Sequence, residues 1–165
     1  MSGDGSGFGG LLRAGNELHF YVDYLTFDVK ADSTLTEASG NNLNASFTDI
    51  RTGAGLRQTF GRGSFSAAIE YIDLRLKTGN VTITSDQGMA LQLSGSFSPA
   101  KRIELYGGGG LIATSDLHGM DLKAGISIVV SDGIKIFSEG RNLLLSEDGK
   151  DLDTSAIVAG LNIGF

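Results

Sequence analysis

Apolar and polar residues alternate with period two along most of the chain. That is a strand pattern, because successive side chains of a strand point to opposite faces. Near the C-terminal end Ile157, Ala159, Leu161, Ile163 and Phe165 share one face, while Ala156, Val158, Gly160, Asn162 and Gly164 share the other. The same alternation predicts strands over 17–30, 43–60, 64–77, 89–98, 101–114, 117–130, 134–145 and 154–165, about eight in all, with little that reads as helix. Three connections, 61–63, 99–100 and 131–133, are tight and rich in turn formers. The others, 31–42, 78–88, 115–119 and 146–153, read as longer polar loops. Short turns at one end and longer loops at the other are the layout of a transmembrane β-barrel, and an even strand number lets the first strand close antiparallel on the last. Residues 17–165 are expected to form this single barrel, and 1–16 a flexible segment whose "MSGDGSGFGG" looks like a mature terminus with an added start methionine.

Alternation alone does not decide which face is outside, and a soluble barrel or sandwich is the competing reading. The polar face carries Asp49, Arg51, Gly53, Gly55 and Arg57; Ser66, Ala68 and Glu70; Gln92, Ser94 and Ser96; Glu104, Tyr106 and Gly108; Asp121, Lys123 and Gly125; Lys135, Glu139 and Arg141. Most of these are small, with scattered charges of both signs. A solvated face would carry long polar side chains throughout, whereas a narrow lumen has room only for small ones. The other face, for example Met120, Leu122, Ala124, Ile126, Ile128 and Val130, is aliphatic and suits lipid. Phe60, Phe65, Phe97 and Phe165 fall on that outward face at the short-turn end, as an interfacial girdle does.

Toward the long-loop end the parity inverts. Leu18, Phe20, Val22 and Tyr24 are outward, then Leu25 and Phe27 are inward; Phe65, Ile69 and Tyr71 are outward, then Ile72 and Leu74 are inward. Phe47 and Leu143 are also inward there, and Thr26, Asp28, Asp73, Arg75 and Asn142 face out. One or two β-bulges would restore a uniform face, but inversion at a similar height on several strands points to one cause. The expectation is a two-storey barrel, apolar outside below and apolar inside above. The upper lumen, lined by Leu25, Phe27, Phe47, Ile72, Leu74 and Leu143, is then either a packed core or a pocket for an apolar ligand. The span Phe65 to Tyr71 is only ~20 Å along a strand, a thin belt.

Composition narrows the classes. The 165 residues suffice for one domain, and 25 glycines with one proline are not a collagen or linker composition. The absence of cysteine excludes disulfides and thiolate metal sites. A net charge of −6 argues against a nucleic-acid partner. No apolar run approaches the ~18 residues of a transmembrane helix.

The terminal "AIVAGLNIGF" resembles the last strand of bacterial outer-membrane β-barrels, and "GAGLRQTFG" and "LYGGGGLIAT" resemble strands of the small eight-stranded OmpA/OmpX-like and OmpW-like group. The resemblance covers the chain from about residue 17. It implies an integral outer-membrane location and a partnership with lipid and lipopolysaccharide. It also implies that Phe165, Ile163 and Leu161 are read by the barrel-assembly machinery, with Phe60, Phe65 and Phe97 in the interface.

Chemistry is sparse. Neither His19 nor His118 has a nucleophile at a recognisable spacing, so no catalytic residue is assigned. "GGGG" at 107–110 lacks the lysine and hydroxyl residue of a phosphate loop, and "SEDGKDLD" at 146–153 lacks the EF-hand spacing, so neither a cofactor nor a metal is expected. The interior charges Arg51, Arg57, Glu70, Glu104, Asp121, Lys123, Glu139 and Arg141 are read as a network that plugs the lumen, because an unpaired charge there costs several kcal/mol. The function expected is a non-enzymatic structural or adhesive surface protein, or a subunit of a surface assembly, acting through its loops. The alternative is a carrier or narrow channel for small hydrophobic molecules using the upper lumen.

Overall fold

The computed structural model describes residues 2–31, 44–78, 81–147 and 150–165. They form nine strands: β1 Ser2–Ala14, β2 Leu18–Ala31, β3 Asn44–Phe60, β4 Gly63–Thr78, β5 Val81–Ala100, β6 Ile103–Thr114, β7 His118–Ser131, β8 Ile134–Glu147 and β9 Lys150–Gly164. They close in chain order into one barrel, and every neighbouring pair is antiparallel except β1 with β9, which is parallel. The all-β barrel expected from the alternation is present, with nine strands in place of eight.

The additional strand is the segment expected to be flexible. Glycines at 3, 5, 7, 9 and 10 interrupt its alternation, but Phe8 and Leu12 still point out and Arg13 points in. Glycine is required at position 7 by close approach. A Cβ there would lie 2.0 Å from the Thr26 carbonyl oxygen and 2.5 Å from the Phe27 Cβ. Odd closure places the Ser2 end of β1, paired with Asp153, at the barrel end opposite Phe165. Bacterial single-chain outer-membrane barrels have even strand numbers, so the closure departs from the family pattern that the sequence resembles.

At the Phe165 end the turns are tight. Gly61 and Gly133 adopt positive φ of 59° and 76°, which glycine tolerates without steric cost. The turn expected at 99–100 falls instead at Lys101 and Arg102, because β5 continues through Pro99 over an irregular register between Phe97 and Ala100. At the opposite end two expected loops are mostly strand. Thr78 pairs with Val81 and Glu147 pairs with Lys150, so the expected loops 78–88 and 146–153 belong to strands apart from 79–80 and 148–149, which lie outside the described residues. The segment 115–119 shortens to three residues, and His118 opens β7. These stretches read as loops because their outward residues, such as Ser85 and Gln87, are polar. Of the expected loop 31–42, Ala31 ends β2 and 32–42 lie outside the described residues.

The two storeys are both present. Below, Leu18, Phe20, Val22, Leu56, Ile69, Leu93, Leu122 and Ile126 are exposed, as are Phe60, Phe65, Phe97 and Phe165. Tyr24 and Tyr71 are also exposed, and Phe8 lies 6.4 Å from Tyr24, ring to ring. The thin belt inferred from Phe65–Tyr71 is local. On β7 the outward apolar residues run from Met120 to Val130, ~33 Å along the strand, which is about 25 Å tall at a tilt of ~40°. Above, Leu25, Phe27, Phe47, Ile72, Leu74, Ile112, Leu117, Leu143, Leu145, Ala156 and Val158 form one buried cluster. Phe27 and Phe47 pack at 5.0 Å between ring centroids. Outside this cluster Thr26, Thr48, Arg75, Gln87 and Ser155 form a polar collar.

Candidate functional site: the lumen

Arg51 on β3 is the centre of the lumen. Its Nε and Nη2 donate to Asp49, with Nη2 2.6 Å from Oδ2; its Nη1 reaches Glu70 at 3.2 Å and Asp121 at 2.5 Å. Arg141 on β8 donates to Glu139 at 3.1 Å and to Asp49 and Asp23 at 3.3 Å each. Gln92 adds a hydrogen bond to Asp121 at 2.9 Å. The strand period generates this meeting: residues two apart, Asp49 with Arg51 and Glu139 with Arg141, share the inward face.

Rings seated on glycines complete the layer. Tyr21 faces Gly53 across the β2–β3 ladder and donates its hydroxyl to Glu70 at 2.5 Å. Tyr106 faces Gly125, and Phe137 faces Gly160. At each of these glycines a Cβ would come within 2.6–2.7 Å of the ring. The small residues of the polar face therefore make room for specific rings as well as for a narrow bore.

Of the expected network, Arg51, Glu70, Asp121, Glu139 and Arg141 are brought together here. Arg57 and Glu104 form a separate lower group at 3.5 Å, and Lys135 also pairs with Glu104. Lys123 faces the lumen, but among the described residues no ion pair involves it. Asp49 and Lys135, placed on the inward face by parity but not counted in the network, belong to it, as does Asp23, which shares the inward parity of Tyr21. Arg13 was lost with β1.

The charges are layered. The two upper guanidiniums, Arg51 and Arg141, face five carboxylates: Asp23, Asp49, Glu70, Asp121 and Glu139. The lower group places Arg57 and Lys135 on the single carboxylate of Glu104. Exposure decides where the lumen is closed: the Arg51 side chain is 1% exposed, while those of Arg57 and Lys135 are 28% and 31% exposed. The bore is sealed above and reachable from the Phe165 end. A cavity of about 120 Å³ lies in the reachable part, lined by Arg13, Arg57, Lys123, Glu104 and a set of serines. The serines pair across the β4–β5 ladder, Ser64 with Ser96 at 2.9 Å and Ser66 with Ser94 at 2.7 Å.

His19 is buried in the lumen and stacks on Tyr21 at 5.7 Å, while His118 lies at the opposite end. Among the described residues no group of three or more His, Cys, Asp or Glu side chains is arranged to hold a metal ion. The six upper-lumen residues expected to line a core or a pocket all belong to the packed cluster.

Comparison with protein-family models, with curated proteins and with solved structures gives no match. The fold itself defines the class: a closed nine-stranded all-β barrel with an apolar upper lumen, a charged lower lumen and an apolar lower exterior.

Proposed function

We propose that the protein is an integral outer-membrane β-barrel with a sealed lumen, serving as a structural surface protein or as a subunit of a surface assembly. One observation carries the reading: large apolar side chains are exposed around the lower barrel while Arg51, Asp49, Asp121 and Glu70 are buried at its centre. Water would penalise the first feature, because contiguous exposed apolar surface drives association, whereas lipid rewards it; a polar interior behind an apolar exterior is the pattern of a barrel that sits in a bilayer. In this reading the collar of Thr26, Thr48, Arg75 and Gln87 projects beyond the bilayer and presents the contact surface. Phe165, Leu161 and Ile163 serve as the assembly signal, and lipopolysaccharide and lipid surround the belt. The carrier alternative is weakened by the packing of Phe27, Phe47, Leu74 and Leu143 into a core.

Cysteine labelling tests the membrane assignment directly, because the chain has no native cysteine. In liposomes Leu122→Cys should resist a water-soluble maleimide while Gln87→Cys reacts. Equal labelling of both would refute insertion. A folded barrel should also migrate faster unheated than boiled on a gel.

A further inference from the structure

We propose that the lower lumen is a dead-end binding cup for a small divalent oxyanion of the phosphate or sulfate type, admitted from the short-turn end. The cations of this cup outnumber its carboxylate partners. Arg57 and Lys135 share Glu104, and among the described residues neither Arg13 nor Lys123 takes part in any ion pair. The Arg13 Nε is buried with no hydrogen-bond partner, although its guanidinium lies 5.8 Å from the Tyr21 ring centroid. Asp23 and Glu139 line the same cavity, but both are engaged by Arg141, which lines it too, so five cations face three carboxylates.

Uncompensated cations inside a low-dielectric barrel are costly, and a bound anion removes that cost. The donor set matches the ligand class. A guanidinium offers a planar fork to two oxyanion oxygens, an ammonium offers a point charge, and serine hydroxyls turn to donate. The cavity of about 120 Å³ is large enough for several waters, and so for a tetrahedral oxyanion. Passage upward is closed by Arg51 and Asp121, so the ligand is held rather than conducted.

The site rests on the proposed function only for the side from which it is filled. The refolded barrel in micelles, first checked by heat-modifiable migration, is titrated calorimetrically with inorganic phosphate and then with sulfate. Saturable binding of both, with chloride a poor competitor, is expected. Arg13→Met and Lys123→Met should each weaken phosphate binding by about tenfold or more. Glu104→Gln should strengthen it, because a competing carboxylate is lost, and Arg62→Met at the exposed β3–β4 turn should leave it unchanged. No saturable binding by the folded wild type overturns the proposal, as does an affinity indifferent to Lys123→Met and Glu104→Gln. Where Arg13→Met fails to fold, the Lys123 and Glu104 variants decide. The labelling of Leu122→Cys and Gln87→Cys reads membrane insertion separately, so either idea can fail alone.

Discussion

Arg51 on β3 reaches Asp121 on β7 across the width of the lumen, Nη1 to Oδ2 at 2.5 Å. A cross-barrel pair of this kind ties opposite walls and closes the bore in one contact. Its guanidinium also answers Asp49 and Glu70, so its loss leaves Glu70 without an ion pair among the described residues and Asp49 and Asp121 with Arg141 alone. Arg51→Met should therefore destabilise the barrel by roughly 3–5 kcal/mol, the range for stranding a buried charge. The measure is the urea midpoint in micelles, with exposed Arg62→Met expected to stay within about 0.5 kcal/mol of wild type. Planar-bilayer recordings of the wild type should be silent; a large steady conductance would contradict the seal.

The inversion of the upper storey gives a test with adjacent residues. Leu74 is 2% exposed inside the core cluster, while the side chain of Arg75 is 42% exposed and pairs with Asp73 at 2.6 Å. Leu74→Ala should cost about 2–5 kcal/mol, combining lost transfer energy with a cavity. Arg75→Ala should cost far less, because a solvent-screened pair contributes little. Comparable losses at both positions would mean that the two faces have been misassigned.

How much of this was legible follows from what period two can carry. Strands whose faces differ in polarity were read nearly to the residue: β6 begins at Ile103 and ends at Thr114, against an expected 101–114. The inward placement of Leu25, Phe27, Ile72 and Leu74 followed from parity alone. The signal failed where one face is mostly glycine, as in β1, or where both faces are polar, as over residues 84–87 of β5. Closure was also out of reach, because the β1–β9 pairing depends on strand number, and one overlooked strand changes it from antiparallel to parallel. In the lumen, parity gave the inward charges but not their partners, which depend on which walls lie opposite.

Acid should loosen the upper rim at one identifiable carboxylate. Asp86 accepts from the Thr114 hydroxyl and from the amides of Gln87, Asp116 and Leu117, the last three at 2.9, 3.3 and 3.2 Å. Burial pushes this carboxyl up, but the hydrogen bonds outweigh it and hold it below its ordinary value of 3.8. A carboxylate with a lowered folded-state pKa stabilises above its unfolded value, and that contribution is lost as pH falls through the folded one. Wild type should therefore exceed Asp86→Asn in urea midpoint at pH 6, and the two should converge as pH falls below 3.8 and through the lowered folded-state value. A difference that persists unchanged into strong acid would assign the effect to shape rather than charge.

The seating of rings on glycines predicts a coupling that neither residue shows alone. A Cβ at Gly53 would lie 2.6 Å from Cζ and 2.8 Å from the hydroxyl oxygen of Tyr21, so Gly53→Ala must displace the ring that donates to Glu70. Gly95 provides the contrast. It faces outward in the belt, and a Cβ there meets only the Ser64 carbonyl oxygen at 3.7 Å. Gly95→Ala should be neutral or stabilising by up to ~1 kcal/mol through the unfolded chain. Gly53→Ala should destabilise by about 1–3 kcal/mol, the cost of overpacking. In a Tyr21→Ala background the same substitution should lose most of that penalty, because the displaced ring is already gone. The double-mutant cycle in urea should return a coupling between 53 and 21 of about 0.5–3 kcal/mol; additivity within ~0.3 kcal/mol would show that Tyr21 is held by something other than its glycine seat.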